Sequence, residues 1–398
     1  MHNKNVLFKF AYNEITMKII YIYDSIARIG GVERILTEKI NYLSELNDIT
    51  LITSSQGKHP LSFYINKDIK HIDIDVRFHK QYKYKFPIKL FINYYYNFLF
   101  RKRIKKLIDE IKPDIIIATT YYKASAICKI KTNAKIIIES HCAKDYTGEN
   151  DGIKRNWIIN KLNSYIVRYN NYIIEKYSSA IVSLSKEDSL CWENTNKSFC
   201  IPNFIPNYFL KDNIPLNNYK KERVISVGRL VYQKGFDRLI RIWSIVNKQY
   251  PTWKLDIYGE GEKEDELKRK IQEYSLEKVI TIKPFTKDIM TEYTKSSIFA
   301  LTSNYEGFGL VLIEAMFCGL PCISFNCPFG PSEIIKNNED GIIVTNNDIE
   351  LYADKLCGLI KSQQLRMKLG ENAKTNVLRY SPKYIIDKWN ELFKIISV

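Results

Sequence analysis

Residues 303–316 read SNYEGFGLVLIEAM, and this stretch decides the fold of the C-terminal half of the chain. The apolar run at 297–302 predicts a short buried strand, and the apolar run from Leu310 onward predicts a helix. Gly307 and Gly309 mark the turn between them, where glycine permits positive φ and the close approach of a ligand. A helix that begins at such a turn points unpaired amide groups at any anion in front of it.

Two carboxylates belong to this stretch. Glu306 lies in the loop, and Glu314 follows about one and a half turns into the predicted helix, facing the same cleft mouth. Carboxylates beside an anion-binding helix start suggest a ligand that carries both phosphate and hydroxyl groups. Taken alone, the pair is equally compatible with two solvent-facing helix charges.

The same strand–loop–helix pattern recurs along the chain. Gly30 and Gly31 stand between a strand at 18–23 and a helix, as in a phosphate-cradling loop or a plain turn. Arg229 and Lys234 follow a strand at 224–227, and they offer a guanidinium fork and a point charge to phosphate. His141 falls just past a strand at 134–139, where ligands bind in open α/β sheets, although a lone histidine is usually structural.

Strands alternate with helices throughout the 398 residues, and the pattern restarts after a linker rich in Asn and Pro. This alternation predicts an α/β protein with two doubly wound, Rossmann-like domains that face a central cleft. The predicted boundaries are a first domain at 1–208, a linker at 209–222, a second domain at 223–380 and a last helix at 381–398 that crosses back. Residues 1–16 precede the first strand and are expected to be an extension.

The net charge of +16 implies an acidic partner, which could be a nucleotide, a nucleic acid or an anionic membrane. The eight cysteines are scattered without a C-x-x-C pair, so free thiols in a reducing compartment are favoured over zinc. No run approaches the ~20 apolar residues of a membrane span, and no signal-peptide core is recognisable. These features predict a cytoplasmic protein.

Residues 77–106, called the basic aromatic segment below, contain ten Lys or Arg, ten Phe or Tyr, and no Asp or Glu. Aromatic rings at headgroup depth and cations on lipid phosphates suit an anionic membrane surface. The same composition suits single-stranded nucleic acid through base stacking and phosphate contacts. The third interpretation is a solvated basic helix whose aromatic rings pack inward.

Taken together, these residues resemble glycosyltransferase family 4, whose members are retaining enzymes with the GT-B fold. The resemblance is strongest from Val224 to Val344, and it rests on an ordered set of motifs rather than on any one of them. The set is Gly30-Gly31, Gly228-Arg229 with Lys234-Gly235, Gly259-Glu260-Gly261, Glu306 with Glu314, Gly330-Pro331-Ser332-Glu333, and Gly341.

The resemblance implies a role for each matched position. Arg229 and Lys234 would hold the donor diphosphate, and Gly30 and Gly31 would close over it from the first domain. Glu306 would bind hydroxyls of the transferred sugar, and Glu314 the ribose hydroxyls. Further contacts would come from the backbone amides of Phe308, Gly309 and Leu310 to phosphate and sugar, and from His141 near the donor sugar.

The function implied by the resemblance is transfer of a hexose or N-acetylhexosamine from a UDP-sugar to a lipid-linked oligosaccharide. Related bacterial enzymes build capsule, O-antigen or other surface polysaccharides. No metal or other cofactor is implied, because the cations and the helix start would stabilise the leaving diphosphate. The enzyme would lie on the inner face of the cytoplasmic membrane, bound through the basic aromatic segment, with no nucleic-acid partner.

Two other functions remain as alternatives. A different GT-B enzyme, such as a nucleotide-sugar epimerase or a phosphorylase, would share the fold. A nucleic-acid-binding protein would explain the charge, but it would leave the glycine and carboxylate motifs without a purpose.

Overall fold

The computed structural model describes residues 16–85, 88–119, 121–141, 144, 157–210 and 219–397. Over these residues the chain forms two parallel sheets, each flanked by helices on both faces, which confirms the predicted pair of doubly wound domains. Most of the expected extension at 1–16 and residues 211–218 of the expected linker lie outside the described residues.

The first domain is built on a seven-stranded parallel sheet with the order β3-β2-β1-β4-β5-β6-β7. Its strands β1, β2, β4, β5 and β6 contain Ile and are largely buried on both faces, as is usual for parallel sheets, whereas the edge strands β3 and β7 are only partly buried. Residues of β1 alternate between two cores, with Ile19 and Tyr21 on one face and Ile20 and Ile22 on the other. The strands are β1 (Lys18–Tyr23), β2 (Asp48–Thr53), β3 (Lys70–Asp73), β4 (Ile115–Ala118), β5 (Lys135–Ser140), β6 (Ala180–Ser183) and β7 (Ser198–Cys200).

In the described part of the chain, six α-helices belong to this domain or to its junction with the second. They are α1 (Gly31–Leu43), α2 (Ile88–Ile111), α3 (Tyr121–Cys128), α4 (Trp157–Tyr177), α5 (Lys186–Leu190) and α6 (Asn207–Leu210). A 3₁₀ turn at Phe78–Lys83 precedes α2.

The second domain has a six-stranded parallel sheet with the order β10-β9-β8-β11-β12-β13. Its strands are β8 (Arg223–Val227), β9 (Lys254–Tyr258), β10 (Ile280–Lys283), β11 (Ile298–Leu301), β12 (Cys322–Phe325) and β13 (Gly341–Val344). Its helices are α7 (Phe236–Gln249), α8 (Glu264–Glu273), α9 (Ile289–Thr294), α10 (Leu310–Phe317), α11 (Pro331–Ile334), α12 (Ile349–Lys361) and α13 (Gln363–Asn376).

The strand order reverses once in each sheet, between β1 and β4 in the first and between β8 and β11 in the second. Loops that follow the strands on either side of such a reversal diverge and leave a crevice for a ligand. Gly30 and Gly31 follow β1, Arg229 and Lys234 follow β8, and Glu306 follows β11. The fold therefore places the predicted site loops at the two crevices.

The last helix, α14 (Pro382–Ser397), packs its apolar face into the core of the first domain. Its side chains Trp389, Leu392 and Phe393 are almost completely buried there, beside residues of α1 and β1. The end of the chain thus contributes to the core of the domain with which the chain begins.

The second domain ends in two helices, α12 and α13, which are separated at Ser362. The Ser362 hydroxyl caps α13 by accepting from Leu365 N. The short strand β7 was not expected, because its three residues are only half-buried and show no apolar run.

The basic aromatic segment divides its rings between two environments. Phe78, Tyr96 and Phe100 pack toward the core of the first domain. Phe91 and Tyr94 are 73% and 72% exposed, and other exposed rings nearby are Tyr82, Tyr84, Tyr95 and Phe98. The interpretation that all the aromatic rings pack inward is therefore wrong.

Among the helices of the described part, none has the length and apolar character needed to cross a membrane.

Candidate active site

The site is organised around the loop that joins β11 to α10. Gly309 adopts φ +103 directly before the first residue of α10, a conformation that side chains strongly disfavour. The neighbouring loop after β12 packs tightly against it, since a Cβ on Gly330 would lie 2.0 Å from the carbonyl oxygen of Phe308. The amide of Glu306 also donates to the carbonyl of Pro328 at 3.2 Å. These contacts fix the backbone from which Glu306 projects.

Glu306 is 4% exposed, and its carboxylate is bound from two sides. Lys234 Nζ lies 2.6 Å from Glu306 Oε1, and the Ser303 hydroxyl donates to the same oxygen at 2.6 Å. Lys234 and Glu306 were predicted to serve phosphate and sugar respectively, and the structure brings them into one ion pair. A pair this buried has little water to screen it.

Gly235 explains how Lys234 reaches this position. It has φ +58, and a Cβ there would lie 2.2 Å from the carbonyl oxygen of Thr302. Only glycine therefore allows the β8 loop to approach the end of β11 this closely. Arg229, by contrast, is exposed, and it donates to the side chain of Gln233 at 3.4 Å.

Glu314 is more buried than the sequence suggested for a residue at a cleft mouth. Its carboxylate accepts from the Tyr293 hydroxyl at 3.2 Å. Burial raises the pKa of the Glu314 carboxyl to about 7, even though the positive charge of Arg34 acts to lower it. Arg34 belongs to α1 of the first domain, so a cation from across the cleft acts on this carboxyl.

Arg34 was not assigned a role from the sequence, although it lies three residues after the Gly30-Gly31 pair. Its guanidinium lies 4.4 Å from the ring centroid of Tyr208 and 5.4 Å from that of Phe63. The sequence did contain a signal for Arg34. It lies three positions after Gly31, in the first turn of the helix, so its side chain is close to the same helix end as the glycine pair.

The Gly30-Gly31 loop faces the second domain. A Cβ on Gly31 would lie 3.2 Å from a methyl group of Leu310, the first residue of α10. Glu33 occupies the space above Gly30, where its carboxylate oxygen would lie 2.3 Å from an added Cβ. The Tyr23 hydroxyl donates to the other oxygen of Glu33 at 3.1 Å. An anion bound at Gly30 would therefore need Glu33 to move.

His141 follows β5, as predicted, and its side chain is 6% exposed. Its Nε2 lies 3.3 Å from Oε1 of Glu139, and neither ring nitrogen makes a hydrogen bond to the described residues. Glu139 also accepts from the Tyr21 hydroxyl and from Lys39. Burial alone would raise the pKa of the Glu139 carboxyl, but Lys39 and His141 hold it well below its usual range.

The two domains are also joined outside the predicted site. Glu333 accepts from the amides of Lys186 and Glu187, both at 2.8 Å, and thereby caps α5 of the first domain. Glu187 in turn accepts from the amide of Phe329 at 3.0 Å. A cavity of about 700 Å³ lies beside these contacts and is lined by both domains. Sequence reasoning placed Glu333 in a motif but could not foresee its partner, which is 147 positions away.

Within the described residues, no group of three or more His, Cys, Asp or Glu side chains is arranged to hold a metal ion. The groups that converge are instead cations, carboxylates and helix amides. Such an arrangement can bind phosphate on Lys234 and on the start of α10, and hydroxyls on Glu306 and Glu314.

Comparison with known proteins finds chains of similar sequence. Residues 210–376 match the family model described as glycosyl transferases group 1. An uncharacterised glycosyltransferase of Haemophilus influenzae is 28% identical over 94% of this chain and 98% of its own length. The amylovoran biosynthesis glycosyltransferase AmsD of Erwinia amylovora is 46% identical over 44% of this chain, and the match spans about half of that relative.

Solved structures show the same fold. A variant of S. aureus TarM in complex with UDP superposes with a TM-score of 0.77 at 17% identity, covering 95% of this chain and 100% of that one. Anabaena HepE in complex with UDP-glucose gives a TM-score of 0.73 at 17% identity, covering 95% and 100%. The chain is therefore a glycosyltransferase with the GT-B fold, and its residues 210–376 form a glycosyl transferases group 1 domain.

Proposed function

We propose that the protein is a retaining glycosyltransferase that moves a hexose or N-acetylhexosamine from a UDP-sugar to a lipid-linked glycan. The product would be a bacterial capsule, O-antigen or related surface polysaccharide. The observation that carries this proposal is the buried Lys234–Glu306 pair at the start of α10, with Glu314 further along the same helix. Lys234 and the start of α10 suit a phosphate, and the carboxylates of Glu306 and Glu314 suit the hydroxyls of two sugars.

The chemistry follows from the charges that develop when the anomeric C–O bond breaks. Negative charge grows on the departing diphosphate, and in this proposal Lys234, Arg229 and the amides of Phe308, Gly309 and Leu310 stabilise it. The departing phosphate accepts the proton of the acceptor hydroxyl on the face it leaves, so the anomeric configuration is retained. Glu306 then orients the sugar and does not attack it, which differs from a two-carboxylate glycosidase.

The choice of donor and acceptor rests on relatives. HepE is described in complex with UDP-glucose. A Campylobacter jejuni relative, 24% identical over 94% of this chain and 98% of its own length, is named as an N-acetylgalactosaminyltransferase acting on a glycan linked to PP-undecaprenol. A lipid-linked acceptor would bring the enzyme to the cytoplasmic face of the membrane as a peripheral protein.

A panel of UDP- and GDP-sugars tests the donor assignment. We expect one UDP-sugar to raise the melting temperature and to be slowly hydrolysed, while the matching GDP-sugar does neither. Because the leaving group is stabilised by side-chain cations and helix amides, hydrolysis in EDTA should match hydrolysis without it. A GDP-sugar preference would overturn the donor assignment, and complete loss in EDTA would overturn the metal-independent chemistry.

Membrane binding is the second part of the proposal. Lys105 and Lys106 already lie beside Asp109 and Glu110, so they are poor candidates for contacts with lipid phosphate. The exposed cations Lys80, Lys83 and Lys85 stand instead near exposed rings such as Tyr82 and Tyr84. Exposed aromatic rings thus lie beside exposed cations, and this combination suits the headgroup region of an anionic membrane.

Changing Lys80, Lys83 and Lys85 together to Gln should weaken binding to phosphatidylglycerol vesicles by at least about tenfold, since each cation near an anionic surface contributes about 1 kcal/mol. Vesicle co-sedimentation measures the change. The matched control changes Lys268, Lys278 and Lys355 of the second domain to Gln, which removes the same charge from another surface. Equal losses in the two triple variants would contradict a specific membrane face.

A further inference from the structure

A second, smaller cavity lies in the first domain, outside the site described above. Its volume is about 270 Å³, and it is formed by the loop after β2 together with the beginning of the basic aromatic segment. Its lining includes Lys58, His59, Arg77 and His79, four side chains that can carry positive charge. Asp73 and Asp75, the nearby carboxylates, are not part of the lining.

The loop that forms one wall is fixed by its own hydrogen bonds. The side-chain oxygen of Gln56 accepts from Ile26 N at 2.8 Å and from the Ser25 hydroxyl at 3.0 Å, while its side-chain nitrogen donates to the carbonyl of His59 at 2.9 Å. Asp73 accepts from the amide of Gly57 at 2.8 Å. These bonds fix the loop, and none of them uses the charged side chains of Lys58 and His59.

Arg77 closes the opposite wall. Its Nε lies 2.5 Å from Asp75 Oδ1, which fixes the guanidinium near Gly57. The side chain of Arg77 remains 40% exposed, and it belongs to the lining of the cavity. An arginine that is held through Nε presents its outer edge as a fork, the geometry that binds phosphate oxygens in pairs.

We propose that this cavity binds the phosphate or diphosphate group of the lipid-linked acceptor. The inference rests on the proposed function for the identity of the acceptor, and on the cavity for the chemistry. The donor diphosphate has its own cations, Arg229 and Lys234, and both belong to the second domain. The second cluster of cations, in the first domain, is therefore available for a second phosphate-bearing ligand.

The position of the cavity fits an acceptor that is anchored in a membrane. It follows β2, which pairs directly with β1, and Gln56 in its wall accepts from Ile26 N of the loop that leads to Gly30 at the cleft. Its other wall, Arg77 and His79, begins the segment with the exposed rings and cations. A diphosphate held here would have its lipid chain toward that segment and its sugars toward the cleft.

Farnesyl diphosphate, a soluble isoprenoid diphosphate, tests the inference by calorimetry on the full chain saturated with UDP, so that the donor site is filled. We expect it to bind, and farnesol, which lacks the phosphates, to bind much more weakly. Arg77→Gln and Lys58→Gln should each raise its Kd by about tenfold, the effect of losing one charged hydrogen bond. Lys67→Gln removes an exposed cation from the same domain without touching the cavity, and its Kd should equal that of the wild type.

The outcomes separate this inference from the proposed function. Unchanged farnesyl diphosphate affinity in both cavity variants, or no binding of farnesyl diphosphate to the UDP-saturated wild type, would overturn the inference. The proposed function would still stand, because saturation shows that UDP binds. If Arg77→Gln weakens binding to phosphatidylglycerol vesicles but not to farnesyl diphosphate, the cavity serves a bilayer headgroup and the acceptor assignment is wrong. Failure of UDP itself to bind would count against the proposed function alone.

Discussion

Replacing Lys234 by Met should reduce sugar transfer by at least about 100-fold, the usual consequence of removing one group that stabilises charge in a transition state. The side chain is 13% exposed and pairs with Glu306 at 2.6 Å, so bulk water cannot substitute for it. The measurement is turnover at saturating donor, because the lost interaction grows as the diphosphate leaves.

The design must separate lost chemistry from lost folding, since Lys234→Met leaves the Glu306 carboxylate buried without its cation. The double variant Lys234→Met with Glu306→Gln removes both charges, and it should recover stability while remaining inactive. Lys295→Met, which removes an exposed cation paired with Glu292 in the same domain, should keep wild-type turnover. Activity near the wild-type level in Lys234→Met would remove Lys234 from the site.

Much of the fold was predictable because it depends on local patterns. Runs such as Ile115–Ala118, bounded by loop residues, indicate buried strands regardless of what they pair with. Gly309 could be placed at a turn for the same reason, because its positive φ is a local demand of the backbone. The fold class therefore followed from short-range information.

The contacts across the two domains were not predictable in this way. Arg34 acts on Glu314, and Glu333 caps α5, through separations that no local pattern records. Glu139 is a further case, since it ends an apolar run as a single charged residue. Only the structure shows that Lys39, from α1, and the Tyr21 hydroxyl meet it.

This buried cluster leads to the second large effect, which is on stability. Glu139→Gln should lower the free energy of unfolding of the first domain by about 3–5 kcal/mol, because it leaves Lys39 as an uncompensated buried charge. The ammonium of Lys39 also lies 4.5 Å from the ring centroid of Trp389, so the change should loosen α14 as well. Hydrogen exchange of the β1, β5 and α14 amides, followed through a urea series, measures both effects.

Glu264→Ala provides the matched control, because Glu264 pairs with Lys268 on the surface of α8, where a comparable ion pair is solvated. Its cost should stay within about 0.5 kcal/mol. The double variant Lys39→Met with Glu139→Gln should regain most of the stability, since neither charge then remains in the core. A Glu139→Gln protein as stable as the Glu264→Ala protein would show that the cluster does not hold α14 in place.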